Sequence, residues 1–138
     1  MSKLIAQGGC LCGQVRYEFD RNEVLSVGHC HCTDCQKATG SGKATIIFLP
    51  TSALGLNGNL TKYTVVGSEG SRVTRGFCPR CGCPILSYTE EDAGTRFIKA
   101  GSLDDPSWVV AASSFWSASA HAWSPVDPEL PSFSGNPS

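Results

Sequence analysis

The sequence predicts a mainly β, single-domain fold of short antiparallel sheets stapled by metal. Three observations lead there. Fifteen glycines and eight prolines cut the 138 residues into short alternating or β-branched runs. Helical periodicity is scarce. Eight cysteines fall into three clusters whose spacing suits metal ligands.

The elements follow in order. Residues 14–19 alternate: Val15, Tyr17 and Phe19 share one face, and Arg16 and Glu18 point the other way. Residues 44–49 form an apolar run that Pro50 ends, the pattern of a buried strand. Residues 60–66 and Arg72–Phe77 flank a turn over 67–70, which predicts a hairpin. Pro84–Thr89, 96–100 and 108–112 complete the strands. Thr33–Thr39 has room for one or two helical turns. The segment 124–138 carries four prolines and reads as an extended C-terminal wrap on a domain covering 1–138.

Composition narrows the function classes. With 41% hydrophobic and 17% charged residues, the chain is globular in type, not disordered. The net charge of −1 and the absence of a basic run argue against a nucleic-acid partner. Folding could still gather Lys37, Lys43, Arg72, Arg75 and Arg80. Residues 1–10 hold no apolar leader, and no stretch has bilayer length. The expectation is a cytoplasmic protein with no membrane partner. Thiols stay reduced there, so clustered cysteines read as metal ligands or redox groups rather than disulfides.

The three clusters are Cys10 with Cys12, Cys30 with Cys32 and Cys35, and Cys78 with Cys81, Cys83 following closely. A Cys-x-x-Cys bends the backbone so that both sulfurs face one ion, and a Cys-x-Cys puts both on one side of an extended chain. Zinc takes about four ligands in a tetrahedron, with Zn–S about 2.3 Å. The most economical partition joins Cys10, Cys12, Cys78 and Cys81 in a closed, structural zinc site. Cys30, Cys32 and Cys35 then hold a second zinc with an open position, the arrangement typical of catalytic sites. Other readings stay open. Cys83, His29 or His31 could close the second site, and either Cys-x-x-Cys could be a redox pair. Cys83 could also be a small buried hydrophobe.

These residues resemble the glutathione-dependent formaldehyde-activating (Gfa) family, which includes centromere protein V. The matching stretches are Gly9-Cys-Leu-Cys-Gly13 with Val15 and Tyr17, and His29 through Lys37 with Gly40. Phe77-Cys-Pro-Arg-Cys-Gly82 and Gly101-Ser-Leu-Asp-Asp-Pro106 follow, then Trp123 with Asp127, Leu130, Pro131 and Phe133. The motifs keep the family's order and span nearly the whole chain. The resemblance implies a β-tent fold with two zinc ions, divided as above. It also implies condensation of formaldehyde with glutathione to S-hydroxymethylglutathione, a carbon–sulfur lyase type of activity. Two positions depart from the pattern. Cys83 stands where members commonly carry Ser or Thr, and Ser114 stands where many carry a histidine ahead of the aromatic pair Phe115 and Trp116.

Several other residues invite a role. Lys37, two positions after the three-cysteine cluster, could contact a substrate carboxylate or be a solvated helix residue. Arg72 and Arg75 fall on opposite faces of one strand, one to pair with Asp104 or Asp105 and the other to face a ligand. Asp104-Asp105-Pro106 reads as a turn. His121 reads as structural, and Trp108, Trp116 and Trp123 as core or wrap anchors. The alternative to an enzyme is a zinc-stabilised binding module of the centromere protein V kind.

Overall fold

The structure is a computed structural model that describes residues 2–67 and 69–137. Residues 1 and 138 of the expected domain, and residue 68 of the expected hairpin turn, lie outside the described residues. The strands are β1 (Ile5–Gly9), β2 (Arg16–Asp20), β3 (Ser26–Cys30), β4 (Ala44–Pro50) and β5 (Gly55–Asn57). They continue with β6 (Thr61–Val66), β7 (Arg72–Phe77), β8 (Pro84–Thr89), β9 (Thr95–Lys99) and β10 (Ser113–Phe115). One α-helix, α1 (Thr33–Thr39), follows β3.

Two sheets result. The smaller is β1-β2-β5, antiparallel throughout. The larger runs β10-β3-β4-β9-β8-β7-β6 and is antiparallel except for the parallel pair β10–β3. With this one parallel pair among otherwise antiparallel neighbours, the sheets match the mostly antiparallel fold read from the sequence. The strand expected at 108–112 also does not form. The amide of Val109 turns back to the Pro106 carbonyl (3.0 Å), so the segment packs as irregular chain with Trp108, Val109 and Ala111 against the core.

Alternation decides what each face does. On β2, Tyr17 and Phe19 are buried while Glu18 is exposed. They meet Ile47 and Leu49 of β4, Leu86 of β8 and Ile98 of β9 in one core shared by both sheets. Each such side chain contributes about 1.5–3 kcal/mol of burial. The opposite face of the large sheet carries a second apolar group: Ile46 and Phe48 of β4, Phe97 of β9, and Phe115 of β10. Gly28 makes this group possible, because a Cβ there would lie 2.5 Å from Phe115 Cζ.

The chain after 130 runs alongside β10. The Ser114 amide donates to the Pro131 carbonyl and the Phe133 amide to the Ser114 carbonyl, both at 2.9 Å. The Trp116 amide donates to the Gly135 carbonyl (2.9 Å), which carries Asn136 and Pro137 to the rim of the second apolar face.

Candidate metal centres and the cavity beside the second

The first cluster joins two tight turns. At the end of β1, the Gly13 amide donates to the Cys10 carbonyl (3.1 Å) and the Val15 amide to Cys10 Sγ (3.2 Å). After β7, the Gly82 amide donates to the Cys78 carbonyl (2.9 Å), and the Arg80 and Cys81 amides point to Cys78 Sγ (3.4 and 3.5 Å). Gly13 (φ 83°) and Gly82 (φ 76°) supply the left-handed residue that each turn needs. The four sulfurs of Cys10, Cys12, Cys78 and Cys81 lie within 4.8 Å of one another. Cys10–Cys12 is 3.6 Å and Cys12–Cys78 is 3.7 Å, sulfur to sulfur. A tetrahedron of thiolates about 2.3 Å from zinc has edges of about 3.8 Å, so the donor set fits that ion. Without a metal the sulfurs share protons unequally. Burial opposes ionisation of Cys10, yet the Val15 amide and neighbouring thiols carry it down to about 6. Cys12 gains a lowering contact from the Gln14 backbone but is pushed up to about 11 by burial and its sulfur neighbours.

The second cluster is built by one strand end and one helix start. β3 ends at Cys30, and Cys32 caps α1 by accepting from the Cys35 amide (3.2 Å). The first turn of α1 brings Cys35 back, so the three sulfurs also lie within 4.8 Å of one another. Gln36 fastens the helix, donating to the carbonyls of His31 (2.8 Å) and Ser119 (3.0 Å). Hydrogen bonds from Cys30 and Cys32, then the positive charges of Lys99 and Arg75, hold the Cys35 thiol far below the usual thiol range. Hydrogen bonds with Cys32 and Cys35, together with burial, push Cys30 up.

Among the described residues no fourth donor joins this group. Cys83 packs on the main core beside the first cluster. His29 turns to the other face of β3 and bonds Thr45 Oγ1 (2.8 Å). His31 is fully buried, and neither ring nitrogen has a partner among the described residues. His121 braces the helix instead, with Nε2 2.9 Å from Gln36 Oε1 and its ring stacked on Trp123.

A cavity of about 450 Å³ opens beside the three cysteines. Its floor is the apolar group of the large sheet, Ile46, Phe48, Phe97 and Phe115. Two cations enter the same wall. Arg75 projects from β7 with Nη2 3.8 Å from Cys35 Sγ, and its Nε is buried without a partner. Lys99 projects from β9 and donates to Ser87 Oγ (2.8 Å). Burial lowers the Lys99 pKa, against the raising effect of the cysteines. Trp116, held at φ 57°, and Asn136 stand at the rim, with Asp34 and Glu69 nearby.

Not every residue singled out in the sequence reaches this site. Lys37 is exposed on α1 and does not line the cavity. Arg72 pairs with Glu91 (2.8 Å), not with Asp104 or Asp105, and Asp104 pairs with Arg16 (2.9 Å). Arg75 is the arginine that faces the cavity, as alternation allowed. Trp108 is a core anchor, edge-on to Phe19 at 6.3 Å, whereas Trp116 is cavity wall and Trp123 is 69% exposed. Sequence reasoning did not single out Lys99. Its signal was the alternation of Phe97 and Lys99, which places a charge on an otherwise apolar strand face. Ser114 is fully buried and lies off the cavity, while Phe115 and Trp116 line it.

Fold and site together define a class: a mainly β protein with two cysteine clusters able to hold metal, one of four sulfurs and one of three beside a cavity. Residues 5–123 match the family model for the glutathione-dependent formaldehyde-activating enzyme, and the chain belongs to that family. A Penicillium rubens protein that carries this enzyme's name provisionally is 28% identical over 103 residues, 72% of this chain and 53% of the relative. A Talaromyces marneffei protein with the same provisional name is 28% identical over 90 residues, 63% of this chain and 48% of the relative. The chain thus spans about half the length of the curated relatives it matches. A crystal structure of a Rhodobacter sphaeroides protein has the same fold, with a TM-score of 0.57 at 21% identity, covering 91% of this chain and 98% of that one. No helix among the described residues is long and apolar enough to cross a membrane.

Proposed function

We propose that this chain is a zinc-dependent carbon–sulfur lyase-type enzyme that joins a glutathione-like thiol to a small aldehyde, as S-hydroxymethylglutathione synthase does. One observation carries the reading: three clustered sulfurs, with no fourth donor among the described residues, lie beside a cavity large enough for a tripeptide thiol. Cys10, Cys12, Cys78 and Cys81 would hold a structural zinc, and Cys30, Cys32 and Cys35 a reactive one. When bound, zinc supplies Lewis acidity that favours the thiolate form of a sulfur ligand and polarises a carbonyl.

The chain's own residues supply the rest. Phe48, Phe97 and Phe115 exclude water from one side of the reacting groups, which strengthens electrostatic effects there. Arg75 and Lys99 bring positive charge to where a thiolate and a developing alkoxide would sit. Trp116 and Asn136, joined by a 2.7 Å bond from Nε1 to Oδ1, border the entry. Family membership and the provisional names of the relatives support the glutathione and formaldehyde assignment. The test is exchange NMR on glutathione and formaldehyde with the zinc-loaded protein. Acceleration of adduct formation over the protein-free mixture is expected, and its absence refutes the formaldehyde assignment.

A further inference from the structure

A divalent ion held by three thiolates carries a net charge of −1, and a fourth thiolate takes it to −2. Burying that charge against an apolar floor is costly unless opposite charge stands beside it. The two clusters differ in this respect. At the first, Arg16 is committed to Asp104, and the close donors to sulfur are backbone amides. At the second, Arg75 reaches Cys35 Sγ with a guanidinium, and Lys99 enters the same cavity. The large sheet brings them together, because Arg75 pairs in register with Ser87, and Ser87 Oγ accepts from Lys99. Among the described residues neither cation has a carboxylate within ion-pair distance; the ion pairs are Arg16–Asp104 and Arg72–Glu91. Asp34 and Glu69 stand on the cavity wall without pairing to them. Two unpaired cations beside a centre about to carry two negative charges form a matched set.

We propose that Arg75 and Lys99 are the counter-charges that make the three-cysteine site selective for an anionic sulfur as its fourth ligand. The inference rests on the function proposed above, in which Cys30, Cys32 and Cys35 hold a metal and a thiol takes the remaining place. Both residues are positioning residues, acting on the charge of the ligand and not on its carbon skeleton. An uncharged fourth ligand gains nothing from them, and any thiolate gains from both.

The test uses the full chain loaded with cobalt(II), whose visible spectrum reports ligation at each cluster. 2-Mercaptoethanol supplies a thiolate without a carboxylate, and imidazole supplies a neutral donor. Arg75→Met and Lys99→Met should each weaken 2-mercaptoethanol at least about tenfold, about 1.4 kcal/mol. Imidazole affinity should stay as in the wild type. Arg75→Lys and Lys99→Arg should keep most of the thiolate preference. An unchanged cobalt spectrum at the four-cysteine cluster verifies folding in every variant. Equal weakening of both ligands, or of neither, overturns the inference. A loss confined to glutathione with 2-mercaptoethanol untouched also overturns it, in favour of carboxylate recognition. If the wild-type three-cysteine site takes no cobalt, or no thiol, the function proposed above fails and the inference fails with it.

Discussion

The two clusters should differ in what they contribute to folding, and the difference follows from where their ligands sit in the chain. A metal held by Cys12 and Cys78 closes a loop spanning 66 residues. Cys30 and Cys35 close a loop of only five. In the loop-entropy account a cross-link over the longer span contributes about 4 kcal/mol and one over the shorter about 2 kcal/mol. The perturbation that isolates this removes both ligands of one segment at a time: Cys10→Ser with Cys12→Ser, against Cys30→Ser with Cys32→Ser. Each pair includes one buried cysteine, Cys10 at 7% exposure or Cys30 at 8%, so the desolvation cost of the new hydroxyls is similar. What remains is the loop term, a gap of about 2 kcal/mol with the Cys10/Cys12 variant less stable. Urea unfolding at fixed free zinc, followed by tryptophan fluorescence, measures it. Equal stabilities, or a less stable Cys30/Cys32 variant, would refute the division into a folding site and a reactive site.

Three further outcomes follow from the same geometry. Elemental analysis should find two zinc ions per chain, and a chelator titration should remove one without unfolding and the second only with loss of the fold. Ion release in a single step coincident with unfolding contradicts this. Gly28→Ala should cost about 1–3 kcal/mol, because the new methyl meets Phe115 Cζ at 2.5 Å, and it should weaken glutathione binding by displacing a cavity wall; thermal melts and titration check both effects. Burial, partly offset by the Ser102 hydrogen bond, pushes Tyr17 up to about 12, above its unfolded value of about 10. The unfolded state therefore loses this proton first, and stability falls as pH rises from about 10 to 12, by about 3 kcal/mol in all. Tyr17→Phe should flatten that alkaline slope, measured as urea midpoints against pH, and an unaltered slope assigns the loss elsewhere.

How much of this was legible in the sequence depended on whether the deciding contact was local. Val15, Tyr17 and Phe19 revealed β2 because one face of that strand is buried and the alternation is uninterrupted. Pro84–Thr89 formed as read. β1 and β3 were not read as strands, because Gly8, Gly9 and Gly28 interrupt their alternation. Gly8 and Gly28 in fact leave room for side chains from neighbouring strands, Tyr17 against Gly8 and Phe115 against Gly28. The segment 108–112 misled in the opposite sense: its composition is strand-like, but Pro106 sets a turn that captures the Val109 amide. The clustered sulfurs were readable because each half-site is a local turn or helix cap. Arg75 and Lys99 were not readable as a pair, since their meeting depends on the order β9-β8-β7 and its register.

That non-local contribution separates two groups of thiols that look alike in one dimension. Spacing alone gives every cluster the same chemistry, a pair or trio of sulfurs aimed at one ion. Chain topology then brings two turns together at the first site, so that four sulfurs stand where one ion could take them all. At the second, a strand end and a capped helix supply three sulfurs. The cavity beside them is lined by Ile46, Phe48 and two cations, and no fourth donor joins them among the described residues. A fourth protein thiolate there would bring the same negative charge that an external one brings. The cations therefore do not account for the lack of a fourth donor among the described residues; on the function proposed above, that lack would keep the position accessible, and the cations would determine what is drawn to it. On the proposed function, reactivity would need both conditions, so the two should be separable. Neutralising Arg75 and Lys99 should leave the position open but indifferent, able to take imidazole as before and no longer favouring sulfur.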